Sequence, residues 1–599
     1  MKSTDTIPLD EARTLSGAFH SRLQRSADEI AYLQYDPTLG QWVEYTWQQT
    51  ADEVSRWQQA MLGEQLEVGD RVAIMLPNSW EWMIFDQAAQ GLGLVTVPIY
   101  TNDRPENIGY ILQNAGIKLL LIGDNEQWLG LRDIQDQLAG LIRIVVLKPV
   151  EPYGLGLRVA TTAEWLPAVA GRLHRWDGDP DTLATIVYTS GTTGRSKGVM
   201  LSHHNILFNA AACLKAIDIY PDDLMLSFLP LSHMLERTLS CFLPMLAGSK
   251  VAFSRSVSKL AEDLVQVRPT ILISVPRIFE RVYAKIHEKL ETDPSIVKLL
   301  FTKTIDIGWR RFEYRQQRQD WFPGLLIWPL LELLVARKVQ AKLGGRLRFA
   351  VSGGAALAPD IAKLFIGLGV NIQQGYGLTE TSPVISANTL EDNIPASVGA
   401  PLEGVEVKIG PYDELLTRSP SVMLGYWHNA RATGEIIDLQ GWLHTGDQAK
   451  LEDGHVFLTG RLKEIIVLAN GEKVPPADME MAITMDRLFE QVLVIGEGKP
   501  YLSALVVLND DEQVILANQL QLDASSDTFL TDKKLEKALL ERIRKLLRAF
   551  PGYAKIQAVA ISPDIWDIDN GLVTPTLKLR RAKIIESHRQ LVDSLYRGH

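Results

Sequence analysis

Between Tyr188 and Val199 the sequence reads Tyr-Thr-Ser-Gly-Thr-Thr-Gly-Arg-Ser-Lys-Gly-Val. Six consecutive hydroxyl or glycine residues, Thr189, Ser190, Gly191, Thr192, Thr193 and Gly194, are closed by Lys197 and Gly198. Glycine permits positive φ and lets backbone approach a ligand. Successive N–H groups in such a turn form an anion cradle, and hydroxyls add donors. Lys197 supplies a point charge for phosphate. Residues 183–187 are an apolar, β-branched run of the kind found in buried strands. Strand, polar loop and lysine together point to phosphate rather than to an ordinary surface turn. The loop is not a Walker motif, because Ser196 stands where Gly-x4-Gly needs its second glycine.

A second cluster, Gly375-Tyr-Gly-Leu-Thr-Glu-Thr-Ser-Pro383, follows a short strand pattern at 371–374 that ends in Gln374. A similar break, Gly353-Gly354-Ala355, follows the strand pattern at 346–351. Two glycine-rich strand ends side by side in a βαβ unit suit a nucleotide. Tyr376 offers a ring face to a purine. Thr379 can bond a phosphate oxygen, and Glu380 is a hard oxygen ligand suited to Mg²⁺ beside phosphates. Gly375-Tyr-Gly377 does not extend to a dinucleotide fingerprint, since position 380 is glutamate. Asp447, in Gly441-Trp-Leu-His-Thr-Gly-Asp447, can accept two ribose hydroxyls; it is equally the aspartate of a turn after glycine. His233 is either a packed polar residue or part of a ligand site at a βα junction. No His-rich metal spacing accompanies it.

These residues need a scaffold, and the chain is long enough for several domains at 599 residues. From Gly69 onward strand patterns alternate with helix patterns: 71–75, 79–91, 94–98, 105–115, 118–122 and 140–147. Such alternation predicts parallel sheets covered by helices. The pattern resumes after the phosphate loop through 202–217, 224–229, 251–253 and 270–275. Residues 400–460 are strand- and turn-rich, and 464–599 read as a separate α+β unit. The net charge of −11 argues against nucleic acid. Cys213 and Cys241 are the only cysteines, which fits a reducing compartment. No apolar leader or membrane span is evident, so a cytoplasmic protein is expected.

The loop at 188–199 closely resembles the signature of the adenylate-forming enzymes, with Ser196 in place of the usual proline. Four further motifs match that superfamily in order: Tyr376-Gly-Leu-Thr-Glu380, Trp442-Leu-His-Thr-Gly-Asp447, Gly460-Arg-Leu-Lys463, and Thr574-Pro-Thr-Leu-Lys-Leu-Arg-Arg581. The resemblance spans about residues 45–585 and is greatest, at 268–280 and 346–357, to long-chain fatty acid–CoA ligases. It implies an N-terminal domain over 1–462, built of doubly wound α/β subdomains and a β-rich one. A mobile C-terminal domain over 463–599 would follow. It also implies that Asp447 and Arg461 hold ribose and that Lys463 is the hinge. Gly471 would line the coenzyme A path, Lys578 would be the catalytic lysine, and His233 would border the acyl pocket.

The implied reaction is ATP-dependent ligation of an acid to coenzyme A through an acyl-adenylate. Lys197, Thr379, Glu380 with Mg²⁺, and Lys578 would offset the repulsion between a carboxylate and a triphosphate. No side-chain nucleophile is needed. A long-chain fatty acid is the expected substrate; medium-chain or aromatic acids, loading of a carrier protein, and a non-catalytic nucleotide-binding role are the alternatives. No carrier-like segment follows the last motif, which favours coenzyme A. The segment at 290–345 carries Trp309, Trp321 and Trp328 around a leucine-rich core, with Arg310, Arg311, Arg315 and Arg318 upstream. It reads either as core or as a contact with an anionic membrane. The sequence leaves the oligomeric state open.

Overall fold

The structure is a computed structural model describing residues 3–596, apart from 151–158, 190–195, 463, 470–471, 525, 527, 549, 551–554 and 575–577. The expectations for Ser190, Gly191, Thr192, Thr193, Gly194, Lys463 and Gly471 therefore lie outside the described residues.

Two large sheets form the N-terminal body. The first runs Gly425–Tyr426, Lys197–Ser202, Leu183–Thr189, Val95–Pro98, Arg71–Met75, Ile117–Ile122, Arg143–Val146 and Val159–Thr161. The second runs Ala400–Pro401, Val384–Ala387, Ile372–Gly377, Phe349–Ser352, Ile271–Ser274, Leu224–Ser227, Lys250–Phe253, Ile30–Asp36 and Gln41–Thr46. Central neighbours pair in parallel, and antiparallel pairs lie toward the edges. Strands such as Ile117–Ile122 are buried at nearly every position. That is why they read as continuous apolar runs rather than alternating ones.

Helix starts sit one residue inside the expected ones, because serines lie outside as caps. The Ser79 hydroxyl accepts from Trp82 N, and Ser202 and Asn205 form a capping box. A four-stranded antiparallel sheet, Glu406–Ile409, Glu414–Arg418, Leu443–Glu452 and His455–Arg461, supplies the β-rich subdomain.

The C-terminal unit has its own core. Phe489–Ile495, Leu502–Leu508 and Ile556–Ile561 form its sheet, and helix Lys533–Leu546 buries Leu535, Leu539 and Ile543 against it. Met481 and Met485 pack on the second sheet's cluster, so the two units meet along that side.

Arg237 joins the two large sheets. It follows Leu224–Ser227 of the second sheet and reaches Thr96 and Thr185 of the first at 2.8 and 2.7 Å. Its fully buried ion partner is Asp86.

Residues 276–342 form helices Pro276–Thr292 and Ser295–Arg315, then a helical run from Trp328 to Lys342. Ser295–Arg315 crosses Pro359–Gly367 through a pair of glycines. A Cβ on Gly308 would lie 1.8 Å from Gly367 O, so only glycine permits this approach. Trp328 is buried in the same seam with the Arg311 guanidinium 4.9 Å from its ring, and Trp309 is partly buried nearby. Arg310 stacks 3.8 Å over Phe322, and Arg318 pairs with Glu313 at 3.0 Å. These arginines are thus engaged within the protein rather than turned as a group to solvent. The two readings of the segment divide it: the inner half is core, while Trp321, Leu326, Ile327, Leu330, Leu333 and Leu334 are exposed. Among the described residues no helix is long and apolar enough to cross a membrane.

Candidate active site

The phosphate-loop signature is held by a hairpin. Thr189 ends one strand and pairs directly with Lys197, which begins the return strand. The sequence reading missed that return strand, because Arg-Ser-Lys-Gly masks its start with loop-like composition. From it the Lys197 ammonium stands 4.8 Å from the centre of the Tyr426 ring. The Tyr426 hydroxyl donates to Glu380 Oε1 at 2.7 Å. Burial and the neighbouring carboxylate both push this phenol's pKa up, so it stays a donor. Tyr426 was also missed, since the two-residue strand Gly425–Tyr426 has no periodicity to read. Glu380 itself lies in the short turn Thr379–Thr381, directly after Ile372–Gly377.

The two glycine-rich strand ends are adjacent, as expected. Phe349–Ser352 pairs in parallel with Ile372–Gly377, with Ser352 opposite Gln374. Gly353, Gly354 and Ala355 leave the first strand. The Gln374 amide oxygen accepts from Leu357 N at 2.9 Å, and its nitrogen donates to Pro395 O. Gln374 thereby fastens the glycine loop to the next turn. Gly377 passes so close to Pro383 O that a Cβ would stand 1.8 Å from it, while Gly375 keeps a looser contact of 3.4 Å with Ser386 O.

Tyr376 meets the β-rich sheet. Its hydroxyl donates to Asp447 Oδ2 at 2.6 Å, and Arg461 Nε donates to Asp447 Oδ1 at 2.7 Å. Asp447 and Arg461 are directly paired on neighbouring strands. Burial, then Asp447, raises the Tyr376 phenol well above its ordinary range. Burial works against the Arg461 charge, but Asp447 outweighs it and holds the guanidinium protonated.

Lys578 comes from the C-terminal unit. Lys578 N donates to Thr574 Oγ1 at 3.0 Å and Thr574 N donates to Lys578 O at 2.8 Å. The Lys578 pKa is lowered, first by desolvation and then by Arg461, against the opposing pull of Asp447, Glu464 and Glu380. The same field reaches His233, whose pKa falls to about 4 through burial and the Lys578 charge. Leu235 N donates to His233 Nδ1 at 3.2 Å, so the neutral ring carries its proton on Nε2. Leu235 in turn lies against Gly353. The structure therefore links Thr189, Lys197, Gly353, Tyr376, Thr379, Glu380, Asp447, Arg461, Lys578 and His233 as one set of neighbours where the C-terminal unit meets the body, the candidate cleft. Among the described residues no cluster of three or more metal-ligating side chains is found. A single carboxylate such as Glu380 suits Mg²⁺, which keeps most of its shell as water and substrate phosphate.

A two-sheet body, a β-rich subdomain and a separate α+β unit delivering a lysine to their cleft define an adenylate-forming architecture. The AMP-binding enzyme model matches residues 19–427, and the AMP-binding enzyme C-terminal domain model matches 463–599. The chain belongs to the AMP-binding enzyme family. A long-chain-fatty-acid–CoA ligase of Mycobacterium bovis is 30% identical over 584 residues, covering 96% of both chains. A long-chain-fatty-acid–[acyl-carrier-protein] ligase of Arabidopsis thaliana is 27% identical over 651 residues, covering 98% of this chain and 87% of the relative. The crystal structure of an anthranilate CoA ligase with anthranoyl-AMP matches the fold with a TM-score of 0.74 at 20% identity, covering 98% of this chain and 99% of the other.

Proposed function

We propose that this protein activates a long-chain fatty acid with ATP and transfers the acyl group to coenzyme A. The observation that carries the reading is the meeting of Lys197, Glu380 and Lys578 with the Tyr376–Asp447–Arg461 cluster in one cleft. In the first step a carboxylate oxygen of the acid attacks the α-phosphorus of ATP. The bond to the β-phosphate oxygen breaks and pyrophosphate leaves. In the second step the coenzyme A thiolate attacks the acyl carbon, the acyl–phosphate C–O bond breaks, and AMP leaves.

Each described group has a task in this scheme. Asp447 accepts the ribose hydroxyls, with Arg461 and Tyr376 fixing its two oxygens. Tyr376 presents its ring to adenine beside the Gly353–Ala355 loop. Thr189, Thr379 and Lys197 face phosphate, and the resemblance assigns the same task to Ser190, Gly191, Thr192, Thr193 and Gly194. Lys578 stabilises charge developing between the acid and the α-phosphate, where electrostatic help speeds reaction. Glu380 would hold Mg²⁺, which when bound neutralises phosphate charge and orients the leaving pyrophosphate. His233, neutral and at the rim of the Leu235–Gly353 contact, borders the acid. The resemblance assigns the hinge to Lys463, at the start of the matched 463–599 domain, and the coenzyme A path to Gly471.

The exposed apolar face at 321–334 supports delivery of the acid from a membrane surface. Two buried cysteines with no disulfide support a cytoplasmic site. A second reading, transfer of the acyl group to a carrier protein, draws support from the carrier-protein ligase among the relatives. Retention of Lys578 and Glu380 in the cleft speaks against a purely regulatory nucleotide binder.

Pyrophosphate release with a panel of acids, with and without coenzyme A, tests the proposal. Release with long saturated acids and a thioester product supports it. A maximum with short or aromatic acids overturns the substrate class. Adenylate that accumulates beside coenzyme A but acylates a carrier protein favours the second reading.

A further inference from the structure

Glu236 is fully buried, three residues after His233, and has no task in the scheme above. Its Oε1 accepts from Ser227 Oγ at 2.6 Å. Ser227 Oγ accepts from Asn78 Nδ2 at 2.9 Å. The same Asn78 amide donates to Leu229 O at 2.6 Å, and its oxygen accepts from Leu231 N at 2.9 Å. Asn78 follows a strand of the first sheet, whereas Ser227 ends a strand of the second. The segment 227–231, which leads into His233, is therefore gripped from both sheets. Glu236 Oε2 and Ser240 Oγ are both buried without a geometrically good partner, although they lie beside one another. A proton on Oε2, donated to Ser240 Oγ, would satisfy both atoms.

We propose that Glu236 is a positioning residue that acts as a neutral carboxylic acid, clamping the turn that carries His233 to the end of strand Leu224–Ser227. The surrounding charges agree. Arg237, on the same turn, directs its guanidinium to Asp86 of helix Trp80–Gly91 and to Thr96 and Thr185. His233 is neutral above about pH 4, and burial raises the Cys241 thiol well above its usual value. Lys578 stands on the far side of His233. No cation among these turns toward Glu236. Burial lifts its pKa to about 8, against the opposing hydrogen bonds of Ser227, Ser240 and the Phe228 backbone. The acid is thus protonated near neutral pH, and it ionises in mild alkali. Ionisation reverses the Ser240 bond, whose hydroxyl must then donate, and places a charge with no facing cation in the apolar turn, so the grip on 227–231 loosens and binding of the acyl group weakens.

The inference rests on the proposed activation of an acid, and its test separates the two. Glutamine mimics the neutral acid, since its amide can donate to Ser240 and accept from Ser227. In pyrophosphate release without coenzyme A, wild-type kcat/KM for the fatty acid should fall about tenfold more than that of Glu236→Gln between pH 7.5 and 9.5. Glu236→Ala should raise KM for the acid about fivefold at every pH, with KM for ATP unchanged, and Glu236→Gln should rescue that loss. Equal damage from glutamine and alanine at pH 7.5, or identical alkaline limbs in wild type and Glu236→Gln, overturns the proposal. Should the alanine variant fail to fold, the glutamine comparison decides alone. Thermal unfolding supplies a readout free of activity. Glu236 holds its proton in the native state and loses it on unfolding between pH 4.5 and 8. Wild-type Tm should therefore fall relative to Glu236→Gln as pH rises through that window. A constant difference overturns the neutral acid whatever the activity. A pH-dependent difference with no pyrophosphate released from any acid supports the buried proton and overturns the functional reading instead.

Discussion

The Tyr426 hydroxyl donates to Glu380 Oε1 at 2.7 Å while the Lys197 ammonium stands 4.8 Å from the centre of the same ring. One aromatic side chain thus holds a carboxylate by its edge and an ammonium by its face. The ring also keeps the two charges from collapsing onto each other, which leaves both available to a metal–triphosphate ligand. Tyr426→Phe removes only the hydroxyl bond, so ATP–pyrophosphate exchange should fall about three- to tenfold, the scale of one hydrogen bond. Tyr426→Ala removes the spacer and lets Lys197 pair with Glu380, so the loss should reach about 10²-fold. Equal losses in the two variants would remove the spacing role.

Asp447 offers a test of nucleotide recognition. Its two oxygens are fixed by Tyr376 and Arg461, and ribose would add two further charge-assisted bonds. Asp447→Asn should raise KM for ATP about 10- to 100-fold, from hydrogen bonds to a charged group worth roughly 1.5–3 kcal/mol. KM for the fatty acid should move little. If the residue were only a turn aspartate, Tm would drop and both KM values would shift alike.

Lys578 reaches the cleft from the C-terminal unit, so its loss should divide the two half-reactions. Lys578→Ala should cut adenylation about 10²-fold or more, on the scale of losing one preorganised donor. Thioester formation from supplied acyl-adenylate should survive. Its lowered pKa places the alkaline limb of adenylation below that of an ordinary lysine. Arg461→Gln removes a cation that depresses it, and should move that limb upward. A limb that stays in place would detach Lys578 from Arg461.

Much of this site was legible because its motifs are contiguous. Tyr376 and Glu380 lie within five residues, and Thr189 and Lys197 fall on facing strand positions of one hairpin. The strands were legible because buried parallel strands give unbroken apolar runs. What escaped depends on long-range pairing. Tyr426 meets Glu380 and Lys197 only because a two-residue strand pairs with Val199 and Met200. Arg237 belongs to none of the motifs, and its burial depends on Asp86 arriving from a distant helix. The segment at 290–345 resisted a single assignment because its apolar residues face two ways; the Gly308–Gly367 contact and buried Trp328, Leu331 and Ala336 show which side docks.

The Asp86–Arg237 pair should be a stability device rather than part of the chemistry. Both side chains are fully buried, and the guanidinium also lies 5.3 Å from the Trp82 ring. Asp86→Leu leaves a buried cation uncompensated and should destabilise by about 3–5 kcal/mol. Arg237→Met should do the same by stranding the carboxylate. The double variant Asp86→Leu with Arg237→Met removes both charges and should recover a large part of the loss. Chemical denaturation read as unfolding midpoints measures this, and strictly additive losses would show that the pair is not coupled.

The exposed face of the insert leads to the final prediction. Leu326, Ile327, Leu330, Leu333 and Leu334 are each more than two-fifths exposed within nine residues, beside the equally exposed Trp321. Leaving that much apolar surface in water is unusual for a protein face with no partner. The helical run beneath it is anchored by buried Trp328, Leu331 and Ala336, so the outer residues are presented on a rigid support. Of the nearby cations, Arg310, Arg311 and Arg318 are held by aromatic rings or by Glu313, which leaves Arg315, Arg337 and Lys338 exposed as a smaller basic contribution. The attraction should therefore be mainly apolar. Replacing Leu330 and Leu333 by serine removes two side chains whose burial contributes about 1.5–3 kcal/mol each when complete. Sedimentation with phosphatidylglycerol-containing vesicles should fall at least tenfold, and raising the salt should have a smaller effect. Unfolding midpoints should stay close to wild type, because neither side chain is in the core. Activity on a soluble short-chain acid should be unaffected, while activity on a long-chain acid supplied in vesicles should fall. Binding that vanishes in salt but survives the double substitution would assign the contact to the basic residues instead.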